Sequence, residues 1–349
     1  MMGRCRPVVA RTSYARKPPV PRVPDFWLDS IIYLYPSEGD AWAGTEFGGT
    51  GFIVAVPRED ERVPDHIGHL YLVTNDHVRL DSRAVRFNLH GGNFDVVAVE
   101  PDEWIEHQDG DDIAVREIMQ HDAHKYSCIN LSMLLTPDVQ PEPPYGPGDE
   151  VFFMGRYVDH AGHAHNEPTV REGIISGIPS EPISQLPERK HEQESILVEA
   201  RSLSGFSGSP VYVTRTGTIE QSPDFKGAPI VVNTDEQPVY LLGIDWGHHP
   251  WQEPVIKDRT PIPGLYIDGN SGMMMVIPAA KLVSLLTEHP DLIAKRREAE
   301  REFIATAGDW SAVGATLDSA KLPEGPGGEF ENFEDLTRKL VQTPKPKAD

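Results

Sequence analysis

The run Gly205-Phe206-Ser207-Gly208-Ser209-Pro210 decides the reading of this chain. Glycine on either side of Ser207 lets the backbone turn sharply and present the hydroxyl. A serine hydroxyl is a weak nucleophile at neutral pH. It needs a base within hydrogen-bond reach, and the base needs an orienting partner. Two upstream runs supply those residue types. Val73-Thr74-Asn75-Asp76-His77-Val78 sets a histidine at the end of a strand-like apolar stretch, and Asp112-Ile113-Ala114-Val115 sets an aspartate just before one. Asp109 and Asp111 lie nearby, but the apolar strand begins directly after Asp112, which favours Asp112.

Working outward, short apolar runs separated by Gly, Pro and Asp predict strands at residues 31–35, 51–56, 70–74, 84–89, 94–99 and 113–118. A second set is expected at 150–154, 169–178, 195–200, 210–214, 239–245 and 272–277. The Pro-rich stretch 136–147 between them cannot be a central strand and reads as a connection. Residues 278–288 read as a helix with Leu282, Leu285 and Leu286 on one face, and a charged helical pattern follows over 291–306. The expected organisation is a Pro/Arg leader over 1–25, a first β unit over 26–140, a second over 141–288, and a helical, then acidic tail over 289–349.

A net charge of −22 argues against non-specific nucleic-acid binding. No apolar run reaches the ~20 residues of a membrane span, so no membrane association is expected. The only cysteines are Cys5 and Cys128, no disulfide framework, which points to a reducing, cytoplasmic compartment. The histidines at 160, 163, 165, 248 and 249 come without a Cys or Glu set at zinc spacing, and no metal or other cofactor is expected. No Gly-Lys-Ser/Thr follows the Gly48-Gly49-Thr50-Gly51 run, so it does not read as a phosphate loop.

With His, Asp and Ser runs in that order, the chain resembles the trypsin-like serine proteases of the PA clan, nearest to their HtrA-like and bacterial branch. The resemblance covers roughly residues 30–288. It implies an all-β fold of two antiparallel six-stranded β-barrels with C-terminal helices. It implies a triad of Ser207 as nucleophile, His77 as base and Asp112 as orienting acid, and an oxyanion hole from the backbone N–H groups of Gly205 and Ser207. By position, Arg201 stands where the family places the floor of the primary pocket, and Asp245, Trp246 and Gly247 stand where it contacts substrate. For Trp246 a packing role is the alternative. Phe206 occupies a position often Asp or Asn in the family. The implied activity is cleavage of a polypeptide by a serine endopeptidase, with a regulatory or activating protein partner as restraint. The rival reading is a silent or latent protease-fold module that binds a protein. The adjacent Gly208, and a histidine ahead of the serine, argue against the Gly-x-Ser-x-Gly elbow of an α/β-hydrolase.

Overall fold

The computed structural model describes residues 23–307, apart from 24, 65–67, 120, 142–143, 161, 187–188, 215–217, 222–228, 233–238 and 258. The expected leader, except Val23 and Asp25, and the acidic linker beyond Gly308 lie outside the described residues. The chain divides into one unit ending at Glu300 and another beginning at Arg301.

Alternation and β-branching give the first sheet its strands: β1 (Ile31–Tyr35), β2 (Gly49–Pro57), β3 (Gly68–Thr74), β4 (Ala84–Asn88), β5 (Phe94–Ala98), β6 (Ile105–Glu106), β7 (Ala114–Ile118) and β8 (Ile129–Asn130). Three short helices interrupt them: α1 (Asp25–Leu28), α2 (Glu38–Ala43) and α3 (Asp76–Leu80). The order is β5-β4-β1-β2-β3-β7-β6, with β8 pairing β2 in parallel. The first of the two expected barrels is present as a half-barrel, with eight strands where six were expected and its sheet left open. Its edge is the two-residue β6, and the chain reaches β6 from β5 through a 3₁₀ turn at Pro101–Glu103.

The second half closes. It contains β9 (Glu150–Gly155), β10 (Thr169–Gly177), the hairpin β11 (Ile183–Leu186) and β12 (Arg189–Gln193), then β13 (Ile196–Glu199) and β14 (Pro210–Thr214). A further hairpin, β15 (Thr218–Gln221) and β16 (Pro229–Val232), precedes the long β17 (Tyr240–Lys257) and β18 (Thr260–Pro278). The barrel order is β10-β13-β18-β17-β14-β9. Its interior holds Val151, Phe153, Val198, Phe206, Val211, Met274 and Val276, all buried. The all-β chymotrypsin-like architecture is therefore present as one closed barrel and one open half-barrel.

Two helices follow, α4 (Ala279–Glu288) and α5 (Pro290–Ala307). Leu282, Leu285 and Leu286 bury completely, each worth about 1.5–3 kcal/mol relative to exposure. Glu300 fixes α5 to the β2–β3 connection. Its carboxylate accepts the backbone N–H of Glu59 and of Asp60, both at 2.8 Å, and lies 2.9 Å from His69 Nε2. Arg296, also buried, donates to Glu59 Oε1, to the Leu286 carbonyl and to Tyr71 Oη. Hydrogen bonds to a charged group contribute about 1.5–3 kcal/mol in total stability terms. Glu300→Ala is expected to lower the thermal midpoint by about 5 °C, measured by calorimetry, whereas Glu298→Ala on exposed surface should leave it within about 1 °C.

Candidate active site

β3 carries the chain inward until Thr74, where Asn75 opens α3 and puts His77 in its first turn. Val78, one residue on, buries in the first core, and Ser82 Oγ bonds the Val78 carbonyl at 2.7 Å. Arg79 is pinned by Asp76 and Glu106. The short helix is thus held by its neighbours rather than by its own length.

Asp112 sits at the foot of β7, after Gly110 at φ 81°. Its carboxylate takes the His77 backbone N–H at 2.9 Å through Oδ1 and faces His77 Nδ1 at 2.6 Å through Oδ2. An ionised carboxylate only accepts, so this contact assigns the imidazole proton to Nδ1 and leaves Nε2 as the basic nitrogen. The Asp112 main chain is held as well. Its carbonyl accepts from Asn75 Nδ2 and its N–H donates to Gln193 Oε1, both at 2.9 Å. Asp111 faces elsewhere, toward His107 Nδ1 at 3.0 Å and Lys281 Nζ at 3.4 Å, and accepts from Gln193 Nε2 at 2.7 Å. Burial raises the Asp111 carboxyl, but the bonds from His107 and Gln193 and the Lys281 charge outweigh it and hold it at about 2.

The Ser207 turn needs both its glycines. Gly205 lies at φ 95° and Gly208 at φ 88°. A Cβ on Gly208 would come 2.0 Å from the Thr50 carbonyl oxygen and 2.5 Å from Thr74 Oγ1. That position is three residues before His77, so the Ser207 turn and the His77 strand end meet. Gly49 completes the junction, since a Cβ there would lie 2.9 Å from the Ser207 carbonyl oxygen and 2.8 Å from Val78 Cγ1. Phe206 is fully buried against Phe153, with the Arg171 guanidinium 5.1 Å from its ring.

Within the turn, Phe206 N–H donates to the Leu203 carbonyl, Gly208 N–H to that of Asp245 and Ser209 N–H to that of Phe206. The N–H groups of Gly205 and Ser207 donate to no other group among the described residues. Ser207 is half-buried, and no hydrogen bond joins its Oγ to His77 among the described residues.

The expected substrate contacts fall in different places. Arg201 is exposed, and its carbonyl accepts from Arg171 Nη1 at 3.1 Å. Asp245 and Trp246 are buried, with side chains that reach no open surface. Asp245 accepts from Ser202 Oγ at 2.6 Å and from Gly247 N–H at 3.0 Å. Trp246 Nε1 donates to Ser195 Oγ at 3.0 Å, so the packing alternative describes its side chain. Gly247 is buried in β17 opposite Met275. Sequence reading missed Thr50 and Gln193. Thr50 lay inside a glycine run just ahead of the strand expected at 51–56, and Gln193 in the polar run Glu192-Gln193-Glu194, which carries no motif.

Residues 49–219 match the family described as the trypsin-like peptidase domain. Over those residues the chain is similar to a trypsin-like peptidase domain. Similar solved structures include the HtrA-type protease AlgW with a decapeptide, at 17% identity and TM-score 0.37, covering 70% of this chain and 53% of that one. Another is the MamO protease domain from Magnetospirillum magneticum, at 13% and 0.37, covering 60% and 93%. A third is the active form of the Rv3671c protease from M. tuberculosis, at 15% and 0.36, covering 74% and 80%. The chain spans about half the length of the AlgW chain. No curated protein matches it.

Burial raises the Asp245 carboxyl from its ordinary 3.8 to about 8, against the opposing bonds from Ser202 and Gly247. Between those values the folded chain keeps a proton that the unfolded chain releases. Asp245 therefore favours folding fully below about pH 4, and that contribution is lost as pH rises toward 8. Asp245→Asn is expected to flatten the fall in stability between pH 4 and pH 8, read by urea unfolding across that range. Parallel curves for the two proteins would show that Asp245 is ionised in the fold.

Proposed function

We propose that this chain is a serine endopeptidase acting through Ser207, His77 and Asp112. The observation that carries the reading is the His77–Asp112 pair at 2.6 Å, formed between two residues that the sequence motifs single out. Ser207 Oγ attacks the scissile carbonyl while His77 Nε2 takes its proton, and Asp112 holds the imidazolium that results. The N–H groups of Gly205 and Ser207 stabilise the oxyanion, a contribution of about 10²–10³ in rate for each such donor in related chemistry. His77 then returns the proton to the leaving amine, and water hydrolyses the acyl-enzyme. The substrate is a polypeptide, and the exposed Arg201 is the cation that would prefer an acidic side chain at the primary position. The domain works without a cofactor and in a reducing compartment, with Cys128 as a free, exposed thiol.

The second reading is a latent or silent module that awaits a protein partner. The unmade Ser207–His77 hydrogen bond favours it. Catalytic hydrogen bonds are often loose in an unliganded enzyme and tighten with substrate, which is why the active reading is preferred.

Labelling with a fluorophosphonate probe separates the two. Wild-type protein should label, and Ser207→Ala and His77→Ala should not. Asp112→Asn should keep the fold and label about 10⁴-fold more slowly, because the amide imposes the wrong imidazole tautomer. A folded wild type that stays unlabelled would favour the latent module.

A further inference from the structure

The serine-peptidase reading gives roles to three side chains, yet the loop bearing Ser207 is held from the other half of the molecule by a residue it does not mention. Thr50 is completely buried on β2. Its N–H donates to the Ser207 carbonyl at 2.9 Å, and its Oγ1 donates to the Gly205 carbonyl at 2.7 Å. Its own carbonyl accepts from Thr74 Oγ1 at 2.7 Å, which ties it to the strand that ends at His77.

The hydroxyl has one proton, and its direction is fixed. Arg156 N–H donates to Thr50 Oγ1 at 2.9 Å, filling the acceptor side, so the proton belongs to the Gly205 carbonyl. Accounting for the turn's peptide groups shows what this does. The 205–206 peptide is held at its oxygen by Thr50 and at its N–H by Leu203. The 207–208 peptide is held at its oxygen by Thr50 and at its N–H by Asp245. The oxygen of the 206–207 peptide takes Ser209 N–H. What remains uncommitted is the N–H of Gly205 and of Ser207. Glycines at positive φ on both sides of Ser207 give this segment wide intrinsic freedom, so its geometry has to be imposed from outside the turn.

We propose that Thr50 is a positioning residue for the oxyanion loop, its hydroxyl and amide together fixing the carbonyls of Gly205 and Ser207 so that the N–H groups of those same two residues stay available to substrate. The proposal rests on the serine-peptidase reading for its catalytic consequence, but the clamp can be measured without catalysis.

Thr50→Val keeps the shape and removes the hydroxyl, whereas Thr50→Ser keeps the hydroxyl. Two readouts are taken on folded full-length protein: the rate of fluorophosphonate acylation, and amide hydrogen exchange over residues 203–209. Thr50→Val should slow acylation about 10–100-fold. It should lower kcat on a peptide substrate with KM within about twofold, and speed exchange over 203–209 about tenfold. Thr50→Ser should restore all three to within about threefold of wild type. If Thr50→Val does not fold, Thr50→Cys, with a weak S–H donor, carries the same expectation. Exchange and acylation both unchanged in Thr50→Val would overturn the proposal. A wild type inert to the probe, with exchange still faster in Thr50→Val, would support the clamp and contradict only the peptidase reading.

Discussion

Two β units meet backbone to backbone where β2 lies against the Ser207 turn, and the rest of the site depends on that contact. Strand and turn approach so closely that a single Cβ on Gly208 would sit 2.0 Å from the Thr50 carbonyl. Amide groups buried at such a seam must find partners within it, because an unpaired one costs about 1–3 kcal/mol. Thr50 supplies three of those partnerships across the seam, to Gly205, Ser207 and Arg156. The position of the nucleophile is therefore set by the other half of the fold, not by the turn alone.

A second set of contacts holds the acid and base. Asp112 binds His77 through both carboxylate oxygens, and its main chain is tied to Asn75 on one side and Gln193 on the other. Gln193 belongs to β12 in the second half, so this link too crosses between the two β units. The loop leaving β9 is anchored the same way. Asn166 exchanges bonds with Arg86 and Asn88 of β4, and the Arg156 guanidinium is stacked among Tyr33, Tyr35 and Phe47 at 4.2–4.9 Å. Burial lowers the Arg156 guanidinium to about 10, against the opposing pull of the Tyr35 and Tyr33 phenol groups.

Much of this was legible in the sequence because the signals were local. Each of the twelve expected strands overlaps an observed one, since short β-branched runs between turn residues carry their own period. The choice of Asp112 over Asp109 and Asp111 rested on where the apolar strand begins, and the structure sets Asp112 against His77 and Asp111 against His107. The differences have physical causes. Closure of the first sheet depends on whether distant edges pair, which no local pattern records. β17 and β18 run well past the predicted ends, through Pro250, Pro254, Pro261 and Pro263. Proline cannot donate to a central ladder, but it is tolerated in a two-stranded hairpin, where both strands are edges. Asp245 and Trp246 were placed by family position, yet their burial is decided by Ser202 and Ser195, dozens of residues away in sequence. Thr50 and Gln193 act only through long-range contacts, so neither residue type nor spacing marked them.

The most direct test is the crystal structure of the wild-type protein after reaction with a small fluorophosphonate. The account predicts phosphorus bonded to Ser207 Oγ, one phosphonyl oxygen within hydrogen-bond distance of both Gly205 N and Ser207 N, and Thr50 Oγ1 still on the Gly205 carbonyl. An adduct whose phosphonyl oxygen points away from those N–H groups, or a turn that has rearranged to accept it, would contradict a site assembled in advance by the seam between the two β units.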